Sequence, residues 1–355
     1  MRRWALAGLA LLLGGSAIAA RRGPAFTVER LADGVYAVLR REPLGLGGDP
    51  NNLFVVRDSD VVVVDAHFSP GATREVIAAI RGVTRKPVRW VINTHWHDDH
   101  VTGNAAYREA YPGVRFVAHD GMRRDLLGQG AENRERFIAS APRTAAFLRE
   151  LVATRRTVEG KTASDGERRA YERYADLIER FAREAPTAAI VPPDTTFTDR
   201  LVLRQGGRTI EVRHLGAGHT RGDVVVLLPA ERIIAAGDLV IHPVPFVGST
   251  SLPGEFGATL ERLAALQPRV IVPGHGALLR DTRYLHRVAA LLASVREQVG
   301  AAVARGETLE QARARVDLDA FRREFADGDA VRELLFTQYV QQSAIPAEYR
   351  RVTGR

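Results

Sequence analysis

An alternation of strand-like and helix-like segments constrains this chain most strongly. Short β-branched runs, bounded by glycine- and aspartate-rich turns, occupy residues 35–39, 53–56, 61–65, 88–93 and 114–119. Helical spacing of apolar residues occupies 70–81 and 103–111, between the later runs. Period-two runs indicate strands, and apolar residues repeating every three to four positions indicate helices. The pattern therefore predicts an α/β domain.

The pattern changes between about 122 and 187, where long helical segments carry apolar residues such as Tyr171, Ile178 and Phe181. We interpret this stretch as a helical insertion whose apolar stripes pack into a core, although a lid over a pocket is the alternative. Strand-like runs then return, with a hairpin turning at Gly206 and Gly207, and helical segments at 284–305 and 318–339 follow. Because no Pro/Ser-rich linker interrupts the chain, we expect one domain over 28–355.

The first twenty residues differ from the rest and predict a signal peptide, residues 1–20. Arg2 and Arg3 precede an apolar run, Trp4 to Leu13, and the stretch "SAIAA" supplies small residues for cleavage. The run is shorter than the roughly 18 apolar residues of a membrane-spanning helix. We expect a periplasmic or secreted protein with no stable membrane insertion after cleavage. General secretion and twin-arginine export both remain open.

Composition narrows the chemistry of any functional site. The 355 residues include no cysteine, which excludes disulfides, thiolate metal ligands and cysteine nucleophiles. The net charge is +8, but arginines are scattered among aspartates and glutamates rather than clustered. Scattered charge is typical of a solvated surface, so we expect no nucleic-acid partner. Any metal must be bound by histidine and carboxylate.

The stretch "THWHDDH", residues 94–100, follows the strand-like run 88–93 directly. In an extended segment His95 and His97 point to one side, because alternate residues share a face. Asp99 and His100 lie further round the turn and can reach a second position. The stretch therefore offers four ligands and predicts two metal positions.

Three further candidates follow other apolar runs: His219 in "GAGHTRGD", Asp238 in "AAGDL" and His275 in "VPGHG". Each has glycine nearby, which permits a sharp turn and a close approach of the backbone. Five of the ten histidines lie in these loops or in the "THWHDDH" stretch, and this concentration predicts a metal site. Zinc suits histidine and carboxylate ligands, and iron and manganese are also compatible with them.

The motif H-x-H-x-D-H formed by these residues resembles that of the metallo-beta-lactamase superfamily, and the similarity runs from about Val28 to Leu278. The resemblance implies an αββα sandwich with a metal site at one edge, here with a helical insertion and C-terminal helices. It implies two zinc ions with Asp238 bridging them. Their other ligands would be His95, His97 and His219 for one ion and Asp99, His100 and His275 for the other.

The resemblance also implies a zinc-dependent hydrolase acting on a small molecule. Paired zinc ions supply an activated water as the nucleophile, and Asp99 would orient it and carry a proton as the catalytic carboxylate. We expect cleavage of an ester, lactone, thioester or amide. β-Lactam hydrolysis is the main alternative, although the family's β-lactamases mostly have another residue at the Asp238 position. Phosphodiester cleavage and a non-catalytic role are less favoured.

Four weaker candidates surround the predicted ligands. Asp65 ends the run "VVVVD" and is expected to accept a hydrogen bond from a metal-bound histidine, as such histidines usually donate their second nitrogen. Thr220 and Asp223 are candidates for similar roles. His242, shortly after Asp238, is a candidate pocket residue, with an ordinary loop position as the alternative.

Overall fold

A computed structural model describes residues 25–40 and 48–354, so the predicted signal peptide lies outside the described residues. The strands are β1 (Phe26–Ala32), β2 (Val35–Arg40), β3 (Asn52–Val56), β4 (Val61–Val64), β5 (Val88–Ile92), β6 (Arg115–His119), β7 (Thr195–Phe197), β8 (Arg200–Gln205), β9 (Arg208–Arg213), β10 (Val225–Leu228), β11 (Ile233–Ile241) and β12 (Val270–His275). The helices are α1 (Pro70–Val83), α2 (Asp98–Val101), α3 (Asn104–Ala110), α4 (Asp120–Asp125), α5 (Ala131–Thr154), α6 (Asp165–Glu184), α7 (Pro253–Ala265), α8 (Arg283–Ala304), α9 (Leu309–Arg315), α10 (Asp319–Ala326), α11 (Ala330–Phe336) and α12 (Gln342–Thr353).

These strands form two sheets. The larger has the order β1-β2-β3-β4-β5-β6-β7, and the smaller has the order β12-β11-β10-β9-β8. Neighbours are antiparallel from β1 to β4 and parallel from β4 to β7, where helices connect one strand to the next. In the smaller sheet only β11 and β12 are parallel, and α7 connects them. Helical crossovers between parallel strands explain the alternation in the sequence.

The sheets pack face to face between two helical layers. Buried Val, Leu and Ile residues from both sheets, among them Val62 and Val212, form the central core. Helices α1 and α3 cover the outer face of the larger sheet, where Val63 packs with Ile80 and Tyr107. Helices α7, α8 and the C-terminal helices cover the smaller sheet. The described chain is therefore an αββα sandwich, as the resemblance implies.

The predicted insertion is helical, and its apolar stripes are buried. Helices α5 and α6 share a separate cluster that includes Leu148, Tyr171, Ile178 and Phe181. Phe68, in the loop after β4, stacks on Phe181 with ring centroids 4.3 Å apart. The insertion is thus attached to the sandwich by packing, as the core interpretation of its stripes expects.

The C-terminal region differs in detail from the expectation. The segment predicted at 284–305 matches α8, but the segment predicted at 318–339 is divided into α10 and α11 because Asp327 ends α10 in a left-handed conformation, with φ 51°. Helix α12 is not predicted, since Pro346 lies inside it and proline is normally excluded from helix interiors. Within the described ranges, no helix has the length and apolar character needed to cross a membrane.

Candidate metal centre

The seven predicted ligands come from different elements that meet beside the two sheets. His95 and His97 follow β5, and Asp99 and His100 lie in the one-turn helix α2, with His97 as its extended N-cap residue. The other three come from the loop between β9 and β10, from β11 and from the end of β12, and are His219, Asp238 and His275. The larger sheet thus supplies four of the side chains and the smaller sheet three.

One group of donor atoms comprises His95, His97, His219 and Asp238, and these atoms all lie within 4.8 Å of one another. His219 Nε2 is 3.0 Å from His97 Nδ1 and 3.5 Å from Asp238 Oδ2. His95 Nε2 is 3.8 Å from the same carboxylate oxygen. Three imidazoles and one oxygen therefore surround one position.

The second group comprises Asp99, His100, Asp238 and His275, with the same 4.8 Å limit between its donor atoms. His100 Nε2 is 3.2 Å and His275 Nε2 3.5 Å from Asp238 Oδ1. Asp99 Oδ2 is 3.1 Å from His275 Nε2 and 3.4 Å from His100 Nε2. Asp238 thus presents Oδ2 to the first group and Oδ1 to the second, which is the arrangement a bridging ligand requires.

Buried side-chain atoms that lack a hydrogen-bond partner indicate whether these residues fit metal ions. Within the described ranges, His95 Nε2, His100 Nε2 and Asp238 Oδ1 are buried and have no hydrogen-bond partner. A buried polar atom without a partner costs about 1–3 kcal/mol. A cation in the first group would bind His95 Nε2, and one in the second group would bind His100 Nε2 and Asp238 Oδ1. Imidazole nitrogen and carboxylate oxygen are ligands for zinc, iron and manganese. The residues therefore fit a pair of divalent cations.

The histidines of the first group are neutral at neutral pH, which is the form that binds metal. Burial, together with the neighbouring His219, lowers the pKa of His97 to about 3. Burial and His100 also lower the pKa of His95 well below its ordinary value. Metals bind neutral imidazole, so these rings are in the required form at neutral pH.

In the second group, neighbouring carboxylates raise the pKa of a histidine instead of leaving it lowered by burial. Burial opposes protonation of His100, but the charges of Asp99, Asp238 and Asp65 outweigh it and raise the pKa of the ring. Burial likewise opposes ionisation of Asp238, yet His100 and His275 hold the pKa of its carboxyl far below the usual range. The carboxylates are therefore ionised at neutral pH, which is the form that binds metal.

Asp65 lies against a predicted ligand, as the sequence suggests. Its Oδ2 accepts from His100 Nδ1 at 2.9 Å and from Thr94 Oγ1 at 2.8 Å, while Oδ1 accepts from the Thr94 backbone N–H at 2.7 Å. The contact leaves His100 Nε2 facing the donor group. Such outer contacts fix the orientation of a ligating ring.

Thr220, Asp223 and His242 lie outside both donor groups. The carboxylate of Asp223 accepts from the backbone N–H and hydroxyl of Thr220, which stabilises the turn after His219, and burial raises its pKa to about 7. The His242 ring packs edge-on against Tyr284, with centroids 5.0 Å apart, and its backbone N–H donates to the His275 carbonyl at 3.0 Å. These three residues support the loops rather than the donor atoms.

The sequence pattern does not identify several contacts of the histidines in the first group. Thr250 Oγ1 is 3.0 Å from His97 Nε2, and Thr94 Oγ1 is 3.1 Å from His95 Nδ1. The Phe246 carbonyl is 3.4 Å from His219 Nδ1. Thr94 adjoins the motif and could have been suspected from that position. Thr250 lies in the loop "VGSTSLPG", whose spacing gives no such signal.

Two tyrosines from outside the strands also lie near Asp99. Burial and the charge of Asp99 raise the pKa of Tyr174, in α6, to about 12. Burial also raises the pKa of Tyr339, whose ring packs 4.5 Å from that of Phe246. Both phenols are therefore neutral at physiological pH and can donate hydrogen bonds.

Residues 46–275 match the sequence profile of the metallo-beta-lactamase superfamily. A linear primary-alkylsulfatase from a Pseudomonas species is 25% identical over 227 residues, which cover 61% of this chain and 39% of the relative. The metallo-beta-lactamase type 2 of Bacteroides fragilis is 32% identical over 93 residues, covering 24% of this chain and 36% of the relative. The matched regions thus span less than half of these relatives.

Solved structures show the same fold. A metallo-beta-lactamase from Pontibacter korlensis has a TM-score of 0.52 and 21% identity, covering 76% of this chain and 99% of its own. A metallo-beta-lactamase from Hirschia baltica has a TM-score of 0.51 and 17% identity, covering 75% of this chain and 97% of its own. These structures share the fold, and the profile match over most of the chain shows that the protein belongs to the metallo-beta-lactamase superfamily.

Proposed function

We propose that this protein is an exported dinuclear zinc hydrolase that cleaves the acyl bond of a small ester, lactone, thioester or amide. The observation that carries the proposal is the position of Asp238, which presents one carboxylate oxygen to each group of donor atoms. The first ion would be bound by His95, His97 and His219, and the second by Asp99, His100 and His275. Asp238 would bind both.

The residues of the centre have separable roles in such a reaction. Bound divalent metal would lower the pKa of water toward 7 and polarise the substrate carbonyl. Asp99 has a side chain 23% exposed, against 5% for Asp238, so it is the carboxylate of the centre with more access to solvent and substrate. Its carboxylate orients the attacking water and carries a proton to the leaving group. Tyr174 and Tyr339 are candidate hydrogen-bond donors to the substrate.

Similarity to known enzymes supports hydrolysis of ester-like bonds. The hydroxyacylglutathione hydrolase of Gloeobacter violaceus is 37% identical over 82 residues, which cover 23% of this chain. The longer match to an alkylsulfatase favours a second candidate, hydrolysis of a sulfate ester. β-Lactam hydrolysis has the support of a shorter match. Phosphodiester cleavage is the least favoured, because the arginines are scattered.

A substrate panel tests these alternatives. Zinc-loaded protein would be assayed with nitrophenyl esters, lactones, thioesters, a chromogenic cephalosporin, alkyl sulfates and a phosphodiester. We expect turnover of at least one acyl substrate, loss of activity on chelation, and a decrease of about 10²-fold or more in Asp99→Asn. Turnover of alkyl sulfates alone would favour the second candidate. Activity that persists without metal would contradict both.

Export is a separate part of the proposal. It is supported by the arginine pair, the apolar run and the small residues within residues 1–20. The intact mass of the protein purified from a periplasmic or secreted fraction should correspond to cleavage near Ala19. A full-length chain found only in the cytoplasm would contradict this part and leave the hydrolase proposal unaffected.

A further inference from the structure

Two consecutive asparagines, Asn51 and Asn52, lie at the start of β3 and are almost fully buried, with 4% and 1% of their surfaces exposed. Neither belongs to a donor group. A buried amide is costly unless it forms hydrogen bonds, so the bonds that each one forms show which part of the molecule it stabilises.

Asn51 contacts the turn that carries His275. Its Nδ2 donates to the carbonyls of Pro273, at 3.0 Å, and Gly276, at 2.8 Å. Its backbone N–H donates to the carbonyl of Gly274 at 2.7 Å. These three bonds connect the larger sheet to the end of β12 and hold the backbone on both sides of His275.

Asn52 contacts the loop that carries Asp65. Its Nδ2 donates to the carbonyls of Val64, at 3.1 Å, and Asp65, at 3.0 Å, and its Oδ1 is 2.5 Å from His67 Nε2. Asp65 has φ 63°, a left-handed conformation that is strained for a residue with a side chain. Asn52 thus holds Asp65 in the strained conformation in which its carboxylate reaches His100 Nδ1 at 2.9 Å.

The side chain of Asn51 therefore supports the backbone around His275, and that of Asn52 supports Asp65, which contacts His100. Successive residues of a strand point to opposite faces, so one asparagine reaches the other sheet and its neighbour reaches the adjacent loop. The rings of the first group contact Thr94, Thr250 and Phe246. Thr94 also donates to Asp65, so Asn52 is linked to His95 as well, but through one more residue than to His100.

We propose that Asn51 and Asn52 are positioning residues for one metal site, the one formed by Asp99, His100, Asp238 and His275. The inference rests on the proposed dinuclear centre. It predicts that loss of either amide weakens metal binding at this site more than at the other site, which Asn52 reaches through the longer link from Asp65 to Thr94 and His95. A purely structural role would instead affect both sites equally or neither.

Titration of the metal-free full chain with Co²⁺, against a competing chromophoric chelator, measures the two affinities separately. His275→Ala and His219→Ala serve as references that show which binding step belongs to which site. We expect Asn51→Ala and Asn52→Ala to weaken the step lost in His275→Ala by about 10- to 100-fold. The step lost in His219→Ala should change by less than about threefold, since the link from Asn52 to that site is longer and runs through Asp65 and Thr94 to His95.

Val55→Ala is the matched control, because Val55 is buried in the same strand and pairs in register with Val35 and Val62. It should lower the melting temperature and leave both affinities unchanged. Asn51→Ser and Asn52→Ser, which are too short to reach the carbonyls, are milder variants. The inference would be overturned if both sites were weakened equally or if neither were weakened. It would also be overturned if all four asparagine variants failed to fold while Val55→Ala folded. A wild-type chain that binds one Co²⁺ would instead contradict the dinuclear proposal.

Discussion

At the scale of single residues, glycine determines how closely the backbone approaches Asp238. A Cβ added at Gly274 would lie 2.0 Å from Asp238 Oδ1 and 2.8 Å from the backbone of Gly237. Contacts this short force a displacement, and the carboxylate is the nearest atom group. The glycine beside His275 is therefore required by the shared ligand rather than by the turn alone.

Gly274→Ala should accordingly displace Asp238 and weaken both metal sites. We expect a loss of about tenfold or more in the affinity for each equivalent, since Asp238 contributes an oxygen to both donor groups. Isothermal titration calorimetry with zinc measures the affinity for each equivalent. Gly257→Ala is the control, because its added Cβ would meet only Ala289, at 3.7 and 3.9 Å. Unchanged affinities in Gly274→Ala would contradict the bridging position of Asp238.

Asp49 is a second residue with a defined contribution, in this case to stability. It is 4% exposed, accepts from the Phe68 backbone N–H at 2.8 Å and lies 3.1 Å from Arg40 Nη2. Burial opposes its ionisation, but Arg40 and His67 hold the pKa of the carboxyl well below its usual range. A lowered carboxyl pKa stabilises the fold above the unfolded value, about 3.9, and this stabilisation is lost as the pH falls toward the folded value.

Asp49→Asn should therefore lower the free energy of unfolding at pH 7 by about 3 kcal/mol, because it breaks a buried ion pair. The difference from wild type should shrink as the pH falls below about 4. Urea unfolding over this pH range gives both results. Asp33→Asn, in an exposed pair with Arg30, should change stability by less than about 1 kcal/mol. A deficit in Asp49→Asn that is the same at pH 7 and pH 3 would be inconsistent with this account.

At the scale of elements, the insertion is attached to the loop that carries Asp65. Phe68 lies three residues after Asp65 and stacks on Phe181 of α6, while Phe137 of α5 packs against both rings. The insertion therefore contacts the loop that orients His100. Its amphipathic helices pack here, and α6 also brings Tyr174 near Asp99.

Phe181→Ala should lower the free energy of unfolding by about 3–5 kcal/mol, the range for a fully buried aromatic side chain. Phe147→Ala in α5 is the control, because its side chain is 45% exposed and should contribute less than about 1 kcal/mol. Chemical denaturation compares the two variants. Equal effects would mean that the α5–α6 packing is not what stabilises the insertion.

Elements with strong periodicity, such as β5, α1 and α8, are predictable from the sequence. The seven side chains of the two donor groups are predictable as well, because each of these residues ends or follows an apolar run. Elements that depend on distant contacts are not. Helix α12 contains Pro346, which the pattern excludes, yet its residues Ala344 and Ile345 are buried against other helices. Thr250 reaches His97 only because the loop after β11 folds back over the site.

At the scale of the whole molecule, the candidate centre joins the two sheets. His95 and His100 follow a strand of the larger sheet, whereas Asp238 and His275 belong to the smaller one. Metal bound among them would connect the sheets at this edge, and a ligand that binds only the folded chain raises its stability.

Removal of metal should thus lower the melting temperature of the whole chain. At a zinc concentration 100 times the dissociation constant, one site contributes about 2.7 kcal/mol. We expect a decrease of several degrees after dialysis against chelator and full recovery on zinc addition, measured by calorimetry. Asp238→Ala should show little of this difference. A melting temperature that is independent of metal in the wild-type chain would indicate that the ions do not bind between the sheets.

Anomalous diffraction from crystals grown with zinc would locate the bound ions. We expect two peaks about 3.5–4 Å apart, one among His95, His97 and His219 and the other among Asp99, His100 and His275. Asp238 should lie between them, with one carboxylate oxygen toward each peak. Well-ordered density for all seven side chains without zinc among them, or zinc bound elsewhere, would contradict the proposed dinuclear centre.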